Sequence, residues 1–181
     1  MAVLSNVDIE ENISIGKLKI QGMNKDTIRE NGLDLSISEI YAIENPDYED
    51  RLINLHNQNP LRFKKIDTSL SGRFIILKSH SFTLLSTKEF LELPSDIMGF
   101  CAIRSTIARS GLIAPPTIID CGFKGTVTIE IFNASKKDII LYAGDRFLHV
   151  ILEYTNSPCS KPYSGQYQGQ NNVREPKRSI E

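Results

Sequence analysis

Gly125–Asn133 reads GTVTIEIFN. Polar and apolar side chains alternate along it. Val127, Ile129 and Ile131 therefore share one face, and Thr126, Thr128 and Glu130 share the other. Period two with β-branched residues predicts a strand with one face on a core. Neighbouring runs carry the same signature. RFIILKS and SFTLLST flank a polar break at His80, and KEFLELPSDIMGFCAI ends in a further apolar run. DIILY, an AGD turn and RFLHVILEY predict a hairpin-like pair. Many short strands between turns point to a β sandwich, barrel or jelly roll.

Upstream the pattern weakens. NKDTIRENG predicts a helical turn ended by Gly32, and LDLSISEIYAI alternates as a single strand. Residues 44–72 hold two prolines and little periodicity, which predicts a surface excursion. From Ser157 the chain is rich in Gly, Gln, Pro and Tyr, a composition too poor in apolar residues for a core. The division expected is one β domain over 1–156 and a C-terminal arm or lid over 157–181.

The totals narrow the function. The chain has 181 residues, 40% of them hydrophobic, enough for one domain with a sizeable core. Net charge is -1, without the basic stripe that nucleic-acid binding needs. No apolar run reaches the ~20 residues that span a bilayer. MAVLSNVDIEENIS lacks a signal-peptide pattern, so a cytoplasmic location is expected. Three cysteines, Cys101, Cys121 and Cys159, form no Cys-x-x-Cys, and His56, His80 and His149 are scattered. A zinc site of the nucleobase-deaminase type is therefore not expected.

Three places carry candidate chemistry. Glu130 puts a carboxylate in the middle of a β-branched strand. It either marks a wet face or serves as a general acid/base on a rigid support. Asp120, in TIIDCGFKG, is either a turn former or an acid held at a strand end to orient water or a hydroxyl. RSTIAR, Arg104–Arg109, predicts a short helix stopped by Gly111. Ser105 and Arg109 then share a face, and free N–H groups at its start favour anions. A capped surface helix and a phosphate grip both fit the spacing.

The ordered set IRSTIARSGL, IDCGFKGTVTIEIFN, GDRFLHVILE and KPYSGQYQGQ resembles the dCTP deaminase family in its archaeal form, which shares a fold with the trimeric dUTPases. DTIRENGLDLSIS and LELPSDIMGF resemble it too. The likeness runs from about residue 24 to 170 and is weak over 1–23 and 45–72. It implies a mainly β, distorted jelly-roll (β-clip, dUTPase-like) subunit with short helices. It also implies a homotrimer with active sites between subunits. The substrate implied is dCTP or dUTP carrying Mg²⁺ on its phosphates, with no zinc.

The resemblance also implies roles for single residues. Glu130 matches the proton-shuttling glutamate that serves water attack at C4. Ser105 and Arg109 match residues that orient that water or bind substrate. Arg104, Ser105 and Thr106 match the triphosphate grip. Thr117 falls among the substrate-binding positions. Asp120 matches the aspartate placed, in dUTPases, at the deoxyribose and hydrolytic water. Tyr163, Gln166 and Gln170 match tail positions that close over the phosphates.

Three residues depart from the pattern. Thr106 replaces a serine but keeps the hydroxyl. Cys121 stands where Pro or Ala usually follows the aspartate. Gln166 replaces a lysine and removes a positive charge from the lid. The expectation is deamination of dCTP to dUTP, with continuation to dUMP and pyrophosphate, or dUTP hydrolysis alone, as alternatives. A non-enzymatic nucleotide sensor is the reading from another class.

Overall fold

The computed structural model describes residues 2–48 and 62–177. Along the chain run β1 (Ala2–Val3), α1 (Asn6–Ser14), β2 (Lys19–Gln21), β3 (Ile28–Arg29), β4 (Gly32–Ser36), β5 (Ile40–Glu44) and β6 (Phe63–Asp67). There follow β7 (Phe74–Leu77), β8 (Phe82–Ser86), β9 (Phe90–Glu92), β10 (Ile97–Ile103), α2 (Ser105–Arg109), β11 (Leu112–Ile113) and β12 (Thr117–Ile119). The last are β13 (Lys124–Gly125), β14 (Thr128–Asn133), β15 (Ile139–Tyr142) and β16 (Arg146–Tyr154).

One large sheet runs β12-β10-β16-β4-β3, with β1 also paired to β16. The other runs β11-β14-β8-β5-β6, and two smaller ladders, β13-β9-β2 and β15-β7, close the sides. Leu33, Leu35, Phe147, Val150 and Leu152 from the first sheet meet Leu85, Ile129 and Ile131 from the second in one core. This is the mainly β, distorted jelly roll with short helices that the strand pattern and the resemblance predict.

Of GTVTIEIFN, Thr128–Asn133 is β14 and its alternation holds, while Gly125 ends β13 and Thr126, expected on the polar face, is buried with its N–H on the Gln170 carbonyl. Ile129 and Ile131 are buried while Thr128 and Glu130 are half-buried on the other face. RSTIAR forms α2, and Gly111 follows with φ +93, a value that suits glycine.

Four expectations are corrected. NKDTIRENG forms no helical turn; it enters a tight hairpin of β3 and β4. There the Thr27 hydroxyl accepts from the Asn24 N–H and the Asn24 side chain accepts from Asp26. These side-chain bonds compete with a helix. Gly32 is a strand residue. A Cβ on it would lie 2.3 Å from the Val150 carbonyl oxygen, so its lack of side chain admits β16.

LDLSISEIYAI makes two strands, broken where the Ile37 N–H bonds to the Asp145 carbonyl and the Ser38 N–H to the Ser86 carbonyl. DIILY and RFLHVILEY do not pair with each other: β15 pairs with β7, and β16 with β10 and β4. The AGD turn exists, but its Ala143 and Gly144 N–H groups bond to the Arg73 and Ile37 carbonyls, which carry the chain from one sheet to another.

Within the predicted surface excursion, Phe63–Asp67 is a strand paired with β5, and Phe63 is buried. Residues 49–61 of that stretch lie outside the described residues. Helix α1 carries a signal that period counting passes over: Ser5 and Asp8 form a reciprocal capping box.

Candidate active site

A cavity of about 560 Å³ opens beside β14. Its floor comes from β12 and β14. Thr117, Ile118 and Asp120 approach from one side, Thr128 and Glu130 from the other, with Phe82 and Leu84 of β8 behind. Strand pairing fixes Glu130 opposite Leu84. Its carboxylate has no hydrogen-bond or ion-pair partner among the described residues and stands half-buried at the cavity wall. A carboxylate on a rigid strand with free lone pairs can take and return a proton. Asp120 directly follows β12, and its carbonyl accepts from the Phe123 N–H at 3.1 Å.

The tail supplies the remaining wall. The Tyr163 N–H donates to the Cys121 carbonyl at 2.8 Å, and the Tyr163 ring leans on Phe123 at 5.8 Å. Gln168 accepts from the Lys124 N–H and donates to the Gly122 carbonyl, both at 2.9 Å. Gln170 forms a parallel bridge to Gly125, and its amide donates to the Thr126 carbonyl. Its Oε1 has no partner although the residue is only 7% exposed and lines the cavity. Three residues on, Val173 is buried beside Ala42, Phe63 and Leu84. Val173 and Tyr163 thus anchor a stretch whose composition predicts no core contribution.

The sequence-predicted residues divide into two groups. Glu130, Asp120, Thr117, Tyr163 and Gln170 meet at the cavity. Ser105, Thr106 and Arg109 are exposed on α2 and do not line it. Arg104 precedes α2 as its N-cap, without a side-chain cap bond, so the expected cap is absent. Its guanidinium instead pairs with Asp34, Nε to Oδ2 at 3.1 Å. Gln166 is exposed away from the cavity, and its carbonyl accepts from Lys177.

Several residues escape sequence reasoning. Arg174, Tyr167 and Arg62 also line the cavity. The Arg62 guanidinium sits 5.0 Å from the centre of the Phe63 ring and pairs with Glu44 at 3.1 Å. Arg174 has no charge partner among the described residues, so it returns a cation to the tail that Gln166 lacks. Asp34 gathers Arg104, Arg146 and His149 around one buried carboxylate. No local pattern marks the Asp34 cluster, because β16 reaches Asp34 only through distant strand pairing, and Tyr167 and Arg174 reach the cavity only through the packing of the tail.

Residues 3–155 match the dCTP deaminase-like family. A dCTP deaminase of Pyrobaculum arsenaticum is 42% identical over 179 residues, covering 97% of this chain and 96% of that protein. The fold is similar to the 2'-deoxycytidine 5'-triphosphate deaminase structure from Agrobacterium tumefaciens, with a TM-score of 0.65 at 17% identity over 84% of this chain. This chain spans about half, 48%, of that one. The dUTPase from phage phi11 of S. aureus gives a TM-score of 0.51 at 12% identity, over 82% of this chain and 96% of its own. Matched along most of its length by family and by relatives, the chain belongs to the dCTP deaminase-like family.

Proposed function

We propose that the chain deaminates dCTP to dUTP in deoxypyrimidine nucleotide metabolism, without zinc. The observation that carries this reading is the Glu130 carboxylate on β14, without a partner among the described residues, facing a cavity of about 560 Å³ shared with Asp120 and Gln170. The relatives' name, dCTP deaminase, supports the same substrate. Glu130 removes a proton from water as its oxygen attacks C4 and passes that proton to N3. It then carries the second proton to the departing amine. The bond broken is C4–N4, and water and dCTP become dUTP and ammonia. Asp120 accepts from the deoxyribose hydroxyl, and Thr117 supports the same side of the cavity.

In this reading the protein is a homotrimer, and Ser105 and Arg109 reach each cavity from a second copy. There they orient the water and Glu130. Arg104, Ser105 and Thr106 grip the triphosphate, while Tyr163, Gln166 and Gln170 close over it. Among the described residues no group of three or more His, Cys, Asp or Glu is gathered for a metal. Mg²⁺ enters as part of the substrate, on the triphosphate.

A second reading rests on Asp120, which stands at the same cavity with its carboxylate unpaired among the described residues. It holds water for attack at the α-phosphate, so that dUTP continues to dUMP and pyrophosphate. Incubation with dCTP and Mg²⁺ followed by product separation decides between the readings. dUTP indicates deamination alone and dUMP both steps. Cleaved dUTP with untouched dCTP refutes the primary proposal. Glu130→Gln is expected to lower deamination at least ~100-fold with nucleotide binding retained.

A further inference from the structure

The departure at Cys121 acquires a partner in the fold. Cys121 and Cys159 lie far apart in sequence, yet the fold brings both to one corner. Both face a second cavity of about 340 Å³, bordered by Asp120, Lys161 and Tyr163. Backbone bonds fix the two residues to one corner. The Cys159 N–H donates to the Ser95 carbonyl at 2.7 Å, and the Gly122 N–H donates to the Pro94 carbonyl at 3.0 Å. The chain then returns, with the Tyr163 N–H on the Cys121 carbonyl. Gly122 permits this wrap: a Cβ there would lie 2.5 Å from Pro162 Cβ.

We propose that Cys121 and Cys159 form a reversible intramolecular disulfide on exposure to a hydroperoxide, locking the root of the tail to the Asp120 turn. The two sulfurs have unequal access. Cys159 is exposed and Cys121 is 5% exposed. Burial, and then the neighbouring Cys159, push the Cys121 thiol up to about 11. Cys159 therefore reacts first. Its thiolate attacks the peroxide O–O bond and becomes a sulfenic acid, releasing hydroxide. The Cys121 thiol gives its proton to that hydroxide and attacks the sulfenic sulfur. The S–O bond breaks and the expelled hydroxide is protonated to water. Two thiols and one hydrogen peroxide give one disulfide and two waters, a two-electron oxidation.

Cys101 stays apart. It lies buried in β10 opposite Val150, and burial pushes its thiol up to about 12. The bridge would close a loop from residue 121 to 159 and hold Tyr163 and Asp120, both of which border the main cavity, in a fixed relation. This inference concerns the thiols alone and stands apart from the reaction assigned to the cavity.

The test treats the full chain with hydrogen peroxide, blocks free thiols with iodoacetamide and maps peptides without reduction. Expected are a Cys121–Cys159 linked peptide, a fall from three free thiols to one, and recovery of all three with dithiothreitol. Cys121→Ser is expected to accumulate a dimedone-reactive sulfenic acid on Cys159, at least ~5-fold above wild type, because its resolving thiol is gone. A chain-to-chain Cys159 disulfide, a stable Cys159 sulfinic acid beside a free Cys121, or equal dimedone labelling of wild type and Cys121→Ser would overturn the proposal.

Discussion

Asp34→Asn tests the least local feature of the fold. Asp34 is 4% exposed in β4 and holds three partners: His149 Nδ1 at 2.9 Å, Arg104 Nε at 3.1 Å and Arg146 Nη1 at 3.2 Å. At an effective dielectric of about 20, each guanidinium attraction is worth ~4 kcal/mol at 4 Å. Desolvating the carboxylate opposes this by several kcal/mol, so the intact cluster adds little net stability. Removing the charge is another matter. Two arginines, each with about a third of its side chain exposed, lose their anion while the asparagine keeps the burial. Loss of one partner from a buried cluster costs ~3–5 kcal/mol, and partial exposure of the arginines places the expectation near ~3 kcal/mol. For a chain of this size that lowers the melting midpoint by roughly 10 °C. Urea unfolding with an unchanged m-value is the check. Arg104→Gln, alone and with Asp34→Asn, gives the coupling. An Asp34→Asn protein within ~1 kcal/mol of wild type would show that solvent satisfies both arginines and refute the argument. Because Arg104 starts α2, turnover is expected to fall further than stability explains.

Glu89 gives a pH signature. It is fully buried, Oε2 accepts from the Ser36 N–H at 2.9 Å and Oε1 has no partner. Burial raises its folded pKa above the usual 4.5. Between those two values the folded chain keeps a proton that the unfolded chain has lost. Stability therefore falls as pH rises through that window, and the loss is complete above the folded pKa. Glu89→Gln should match or exceed wild-type stability at pH 7 and flatten the slope above pH 4.5; a clear loss at pH 7 contradicts the sign. Val173→Asp removes an apolar anchor of the tail, worth ~1.5–3 kcal/mol, and buries a charge. Amide exchange over residues 168–174 should rise at least ~10-fold while the core exchanges as before, and an unchanged tail would locate the anchor elsewhere.

The fold class was legible because period two survives in isolation. Thr128, Glu130, Ile129 and Ile131 declare their faces without reference to any partner. Pairing was not legible, since alternation states which side a residue faces and is silent on which strand lies beside it. β15 and β16 have a proper turn between them, yet carbonyls of Arg73 and Ile37 claim its N–H groups. Asp34 reads as the polar member of LDLS, and β4 is buried on both faces only because β16 brings Arg146 and His149 across it. Glu130 was readable as an oddity of composition. Its lack of partners among the described residues, which makes it a candidate base, is a property of the packed cavity. Arg174 had no signal at all, because its place follows from the burial of Val173 beside it.

The division of the candidate site into two groups leads to a last prediction. Arg104 is tied to Asp34 and α2 stands off the cavity, so closing the gap within one chain would break a buried ion cluster. Phe100 and Ile118 face each other across β10 and β12, both exposed, and Ile118 also borders the cavity. A second copy laid on that apolar face would cover it and bring its own α2 to the opening. If so, Glu130→Gln and Arg109→Ala disable the same site from different chains. Each variant alone should be nearly inactive. Unfolded together in equal amounts and refolded, they should recover about a quarter of wild-type turnover in a closed ring: about half of the cavities keep Glu130, and about half of those face an intact Arg109. Native mass spectrometry establishes that mixed assemblies formed. Mixed assemblies without recovered turnover would mean that Glu130 and Arg109 serve the reaction from one chain, and the division seen here would then have to close by movement of α2 itself.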